Sequence, residues 1–197
     1  AVPSRQFDIS KIDFDLLSRE FAHTRRKNLL LRDLDELVNQ QLAKMLFANP
    51  QRIDYYDRYQ EIIDAYNAEQ NRATIEKTFM DLMELASSLD TEQQRYVREG
   101  FSSDEELSVY DLLFSENLTK QEIETIKKVS VDLLTKIKQQ IAKLDHWTDK
   151  QETKAIVDNL IRNTLWQELP NSYDVSDIQT YQKKIYEYVY MRYPEVA

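Results

Sequence analysis

A single glycine, Gly100, in a chain of 197 residues constrains what this sequence can build. Glycine supplies the positive-φ turns and close backbone approaches that tight hairpins and phosphate-cradling loops need. A P-loop or a dinucleotide fingerprint requires at least two glycines at fixed spacing, so neither can be written here. A helical body is expected. Nucleotide or nucleophile chemistry is expected on another part of a longer protein.

The length suits one domain or two small ones packed together. Apolar residues make up 42% of the chain, enough for a real core. No apolar run approaches the roughly 18 residues of a membrane span. The opening AVPSRQFDIS lacks a basic stretch followed by an apolar one, so it does not read as a signal peptide. Residues 1–12 read instead as a linker or fragment boundary. Cysteine is absent, which excludes disulfides and thiolate zinc sites and is compatible with the cytoplasm.

The formal charge of −9 is unevenly spread. Residues 81–125 hold 12 acidic and 3 basic side chains, and the flanking segments nearly balance. An acidic middle repels a polyanion, which disfavours broad DNA binding. That segment reads as a solvated helix face ahead of an acidic docking patch.

Helical periodicity runs through nearly every segment, and none alternates with period two. Asp13 can cap a helix from Phe14 to about Ala22. A long helix is expected from about Lys27 to Phe47, ended by Asn49-Pro50. Two more run from about Arg52 to Ala68 and from about Thr74 to Leu89. Asp90 then caps a short piece that stops at Gly100, a natural residue just past a helix end. Beyond it, Ser103 with Glu106, Thr119 with Glu122, Thr148 with Gln151 and Ser176 with Gln179 fit the capping-box pattern. Trp147, just before the Thr148 cap, is expected to staple the next turn.

Chemistry-bearing constellations are scarce. His23 and His146 lack partners at metal-ligand spacing, and no G-x-S-x-G elbow exists. Acid pairs among 35 carboxylates carry no specificity. Arg25, Arg26 and Lys27 form the one dense basic cluster. It could grip phosphate at a helix start, but three charges fall short of a basic patch, and a salt-bridge role stands ahead. Twelve tyrosines fall mainly in two groups, Tyr55–Tyr66 and Tyr181–Tyr193, with about half of each expected in a core. Tyr186, Tyr190 and Tyr193 share a face at i, i+4 and i+7. That helix is either buried on two sides or offers an aromatic stripe to a partner.

The segment WTDKQETKAIV from Trp147, a proline-ended helix, and the tail YQKKIYEYVYMRYP together resemble the C-terminal helical region of type I restriction enzyme R subunits. Those chains carry a Trp, a basic pair, Lys-Gln, then Thr-Arg-Ala. The matching positions are Trp147, Lys150, Gln151, Thr153 and Ala155. Thr148 and Asp149 replace the basic pair and Lys154 replaces the arginine, which puts a phosphate-gripping role in doubt here. Ile12-Asp13-Phe14, Lys27-Asn28, Arg52 with Asp54, and Tyr66-Asn67 match a second block. The likeness spans residues 12 to about 193.

The resemblance implies an assembly role. The parent would be an ATP-dependent type I site-specific deoxyribonuclease, with ATP, magnesium and DNA handled upstream and no cofactor or metal in this fragment. This region, itself no enzyme, would dock the motor onto the methyltransferase core of modification and specificity subunits, and it could also brace the motor lobes. Trp147, Lys150, Gln151, Lys154, Tyr186, Tyr190 and Tyr193 are the candidate partner or structural contacts. No membrane is involved. The expected fold is an all-α irregular bundle of about seven to nine helices without a sheet, divisible into two packed subdomains. The segments are 13–100, an acidic connector with a short helix over 101–118, and 119–197. The main alternative is a nucleic-acid-binding helical module using Arg25, Arg26, Lys27 and the tyrosines. A free-standing scaffold unrelated to restriction is a third reading.

Overall fold

A computed structural model describes residues 12–195. The linker expectation for residues 1–12 therefore lies outside the described residues, apart from Ile12. Among the described residues, nine α-helices and one 3-10 turn follow one another without a strand. They are α1 (Phe14–His23), α2 (Lys27–Ala48), the turn Pro50–Arg52, α3 (Ile53–Ala68), α4 (Arg72–Gln93), α5 (Arg95–Arg98), α6 (Asp104–Leu113), α7 (Lys120–Ile141), α8 (Gln151–Glu168) and α9 (Val175–Arg192). The chain is all-α, as its glycine poverty and periodicity require. It divides into two compact units, one up to Arg95 and the other from Tyr96.

The first unit is built on two long helices. Leu31, Leu34, Val38, Leu42 and Met45 recur at helical spacing on α2 and are buried against Phe79, Leu82, Leu85, Ala86 and Leu89 of α4. Phe21 of α1 stacks on Phe79 with ring centroids 3.7 Å apart. Helix α3 packs on α4 but buries only Tyr59, whose hydroxyl donates to Asp35 at 2.6 Å. Asn49 ends α2, and its side chain accepts from the Gln51 amide to start the proline-led turn.

That turn delivers Arg52 into the interior. Arg52 is 4% exposed, and its Nε donates to Glu92 of α4 at 3.1 Å. Arg95 donates to the same carboxylate at 3.0 Å, and the Tyr55 hydroxyl at 3.4 Å. The ion pair corrects the expected end of the fourth helix. Asp90 is not a cap, because α4 continues through it to Gln93. Leu85, Leu89 and Glu92 keep one face buried, and the bond that Glu92 accepts from Arg52 holds the extra turn.

In the second unit α6 packs on α7, α7 on α8, α8 on α9, and α9 returns to α6. Residues 101–118, read as a connector, place Leu107, Val109, Leu112 and Leu113 in this core. Gly100 adopts φ +84°, and amide bonds from Gly100 to Val97 and from Phe101 to Tyr96 close a Schellman turn. A Cβ at Gly100 would meet nothing within 4 Å, so its backbone angle is what requires glycine.

The capping boxes fare unequally. Thr119 and Glu122 form a complete box. Ser103 accepts from the Glu106 amide, but the Glu106 carboxylate takes the Ser102 amide, so that box is half made. Thr148 with Gln151 does not cap α8. Its N-cap is Lys150, without a side-chain bond, and the Thr153 hydroxyl instead donates to the Trp147 and Lys150 carbonyls. Ser176 with Gln179 is displaced by Asp174 with Asp177, which closes a box two residues earlier. Aspartate is as good an N-cap as serine, and its charge favours a helix start.

Candidate functional site

Trp147 is not a helix staple. With the α8 cap at Lys150, Trp147 stands in the turn after α7, next to His146 at φ 47°. The turn sends the indole inward, where it is fully buried. Its Nε1 donates to the Tyr193 carbonyl at 2.7 Å, tying that turn to the end of α9. Tyr186 and Tyr190 meet it edge to face, with centroids 6.1 and 5.8 Å away.

Tyr193 continues the network. Its hydroxyl donates to Glu105 of α6 at 2.5 Å, and Lys138 of α7 reaches the same oxygen at 2.6 Å. Burial pushes the Glu105 carboxyl up, but the bonds from Lys138 and Tyr193 outweigh it and hold the group below its usual value. Burial and the bond to Glu105 push the Tyr193 phenol well above its usual value, so it stays a neutral donor.

The outer side of α8 and α9 carries the rest. Tyr190 is 38% exposed, and the Lys154 ammonium lies 5.8 Å from its ring centroid. Tyr186 is half-buried, and Gln182 donates to Asp158 at 3.0 Å to join the two helices. The structure therefore brings together Trp147, Lys154, Tyr186, Tyr190 and Tyr193. Lys150 and Gln151 stand exposed at the start of α8, outside this aromatic cluster.

The basic cluster divides. The Lys27 ammonium donates to the Phe21 carbonyl at 2.7 Å and lies 4.4 Å from the Phe21 ring centroid. It thus satisfies a last-turn carbonyl of α1 and fixes the corner into α2. The inter-helix role expected of the cluster falls to this lysine, through a carbonyl rather than a carboxylate. Arg25 and Arg26 are exposed.

The acidic stretch is more than a solvated face. Glu92 pairs with Arg52 and Arg95, Glu99 with Lys127, Glu105 with Lys138, and Glu122 bonds Ser172. Arg52 and Glu92 pair across the chain. They lie 40 positions apart, and no local spacing signals such a contact. The only hint was the place of Arg52 in the Arg-x-Asp match.

Among the described residues, no group of His, Cys, Asp or Glu is arranged to hold a metal ion, and no helix is long and apolar enough to cross a membrane. The family model described as type I restriction enzyme HindI endonuclease subunit-like, C-terminal, matches residues 2–193. Neither the curated proteins nor the solved structures contain a match.

Proposed function

We propose, since the chain belongs to the family of C-terminal domains of type I restriction endonuclease subunits, that it is the non-catalytic docking domain of such a subunit. It joins an ATP-dependent DNA translocase and endonuclease to the methyltransferase core of modification and specificity subunits. ATP, magnesium and DNA are handled by the parent chain, in the cytoplasm. The fragment itself neither hydrolyses ATP nor cuts DNA. The observation that carries the reading is the Tyr190 ring, exposed on α9 yet held from behind by buried Trp147 and flanked by Lys154. A tyrosine held rigid from behind is the type of side chain that concentrates binding energy at interfaces.

The test is light scattering on a sizing column, with the chain alone and mixed with its cognate modification–specificity core. A stoichiometric complex that Tyr190→Ala weakens at least tenfold is expected. A folded, helical chain that forms no complex would overturn docking. The alternative, nucleic-acid binding, retains Arg25 and Arg26, but Lys27 is committed to the Phe21 carbonyl. Two exposed arginines predict a shallow salt dependence for any DNA affinity.

A further inference from the structure

We propose that the cleft between α2, α3 and α4 is a binding pocket for a two-ring aromatic group that carries an N–H donor. The cleft encloses about 250 Å³. A dry cavity of about 150 Å³ accommodates benzene, so this one has room for an indole-sized body. Buried Leu31 and Leu82 line it with half-buried Ile63 and Tyr66, while exposed Arg32 contributes a charged edge. Such a lining, mostly apolar with a few polar groups, is the usual make-up of a small-ligand site.

Two polar side chains in the cleft have capacity to spare. Thr78 is 4% exposed, so it is more than nine-tenths buried. The other buried serine and threonine hydroxyls among the described residues, of Ser108, Ser130 and Thr164, each donate to the carbonyl four residues earlier. Thr78 makes no side-chain hydrogen bond among the described residues, although it lines the cleft. Its oxygen opens onto the cleft, where water can serve it and a ligand donor or acceptor could take the water's place. Asp35 accepts the Tyr59 hydroxyl on Oδ1 and keeps its second oxygen as an acceptor. An apolar ring with one N–H matches this set: the walls take the ring, and an Asp35 or Thr78 oxygen accepts the hydrogen bond from the N–H.

The pocket lies wholly in the first unit, so the proposal does not depend on the docking face. The test is a titration of backbone amide NMR shifts of the 197-residue chain. The probes are indole, benzothiophene, which has the same two-ring shape and no donor, and N-acetyl-tryptophanamide. Indole should shift the Leu31, Thr78 and Leu82 amides saturably and bind about three- to tenfold tighter than benzothiophene. Thr78→Val, which removes no intramolecular bond, should fold normally and shrink that preference. Ile63→Trp should fill the cleft and abolish the shifts. Binding of N-acetyl-tryptophanamide as tight as that of indole would identify the natural occupant as a partner's tryptophan. Binding of indole alone would identify a free small molecule. No saturable shift with either probe, or shifts indifferent to Ile63→Trp, would overturn the pocket.

Discussion

The two units solve the same packing problem with different polar devices. The first buries an ion pair: Arg52 and Glu92 sit among the aliphatic stripes of α2 and α4. The second buries neutral donors on backbone carbonyls and keeps its Glu105–Lys138 pair part-exposed. Trp147 donates to Tyr193, and Tyr173 donates to Leu113 at 2.6 Å. A buried ion pair gives little net stability, yet leaving one charge alone is very costly. A neutral bond contributes about 0.5–1.5 kcal/mol and costs somewhat more when its partner is orphaned. The first unit is therefore brittle at one point, while the second spreads its polar support over several. Both tryptophans, Trp147 and Trp166, belong to the second unit, so their fluorescence reports that unit alone. Far-ultraviolet circular dichroism reports the helices of both.

The largest expected effect follows from this. Glu92→Ala leaves the Arg52 guanidinium buried without its carboxylate and should destabilise the first unit by about 3–5 kcal/mol. In urea, the dichroism transition should move to lower denaturant while tryptophan fluorescence holds its midpoint. Replacing both partners, Arg52→Met with Glu92→Leu, should restore most of the loss. A single variant costing less than about 1 kcal/mol would place the pair in the class of weak surface bridges and break the contrast.

Next comes Trp147→Phe. The change keeps an aromatic ring but orphans the Tyr193 carbonyl and shrinks a fully buried side chain, at about 2–4 kcal/mol. Fluorescence from Trp166, itself half exposed, should then report the earlier unfolding of the second unit. A dichroism shift without a fluorescence shift would mean that the damage had reached the wrong unit.

These two residues also mark what was legible in the sequence. Helix positions follow from periodicity, proline and single-residue caps, so Asp13, Asn49 and Thr119 behave as read. Long-range polar contacts leave no such trace. Glu92 looked like one acid among twelve in the 81–125 segment, and Trp147 looked like a local staple. Tertiary packing also moved the boundaries. The bond to Arg52 extends α4 past Asp90, and Asp174 outcompetes Ser176 as a cap. The candidate site was half legible. The i, i+4 spacing of Tyr186 and Tyr190 gave a shared face, but the Trp147 ring behind them is set by the fold.

A third, smaller effect concerns pH. Burial raises the Tyr188 and Tyr193 phenols of the second unit. A folded-state value above the unfolded one gives stability that is full below about pH 10 and lost as pH rises through the folded value. Tyr193→Phe should cost about 1–2 kcal/mol at neutral pH and flatten that alkaline loss. Glu105 behaves oppositely. Its lowered carboxyl contributes stability that is present above the ordinary value of 4.5 and fades as pH falls through the lowered folded one. Lys138→Met should therefore weaken the acid limb of the second unit's stability profile. An unchanged profile would remove the Glu105–Tyr193–Lys138 network from the comparison.

The smallest effect on folding should still be felt in association. Lys154 is half-buried, and its ammonium contributes a cation–π contact of about 0.5–1 kcal/mol at Tyr190. Lys154→Met keeps most of the aliphatic stem, so the urea midpoint of the second unit should move by no more than that. Binding to the modification–specificity core should weaken several-fold, because the substitution removes the charge that Lys154 places over the exposed anchor ring. If folding and binding fell together, Lys154 would belong to the second unit's internal support. If binding alone fell, the outer edge of α8 and α9 would be the part of this unit that is free to work on a partner.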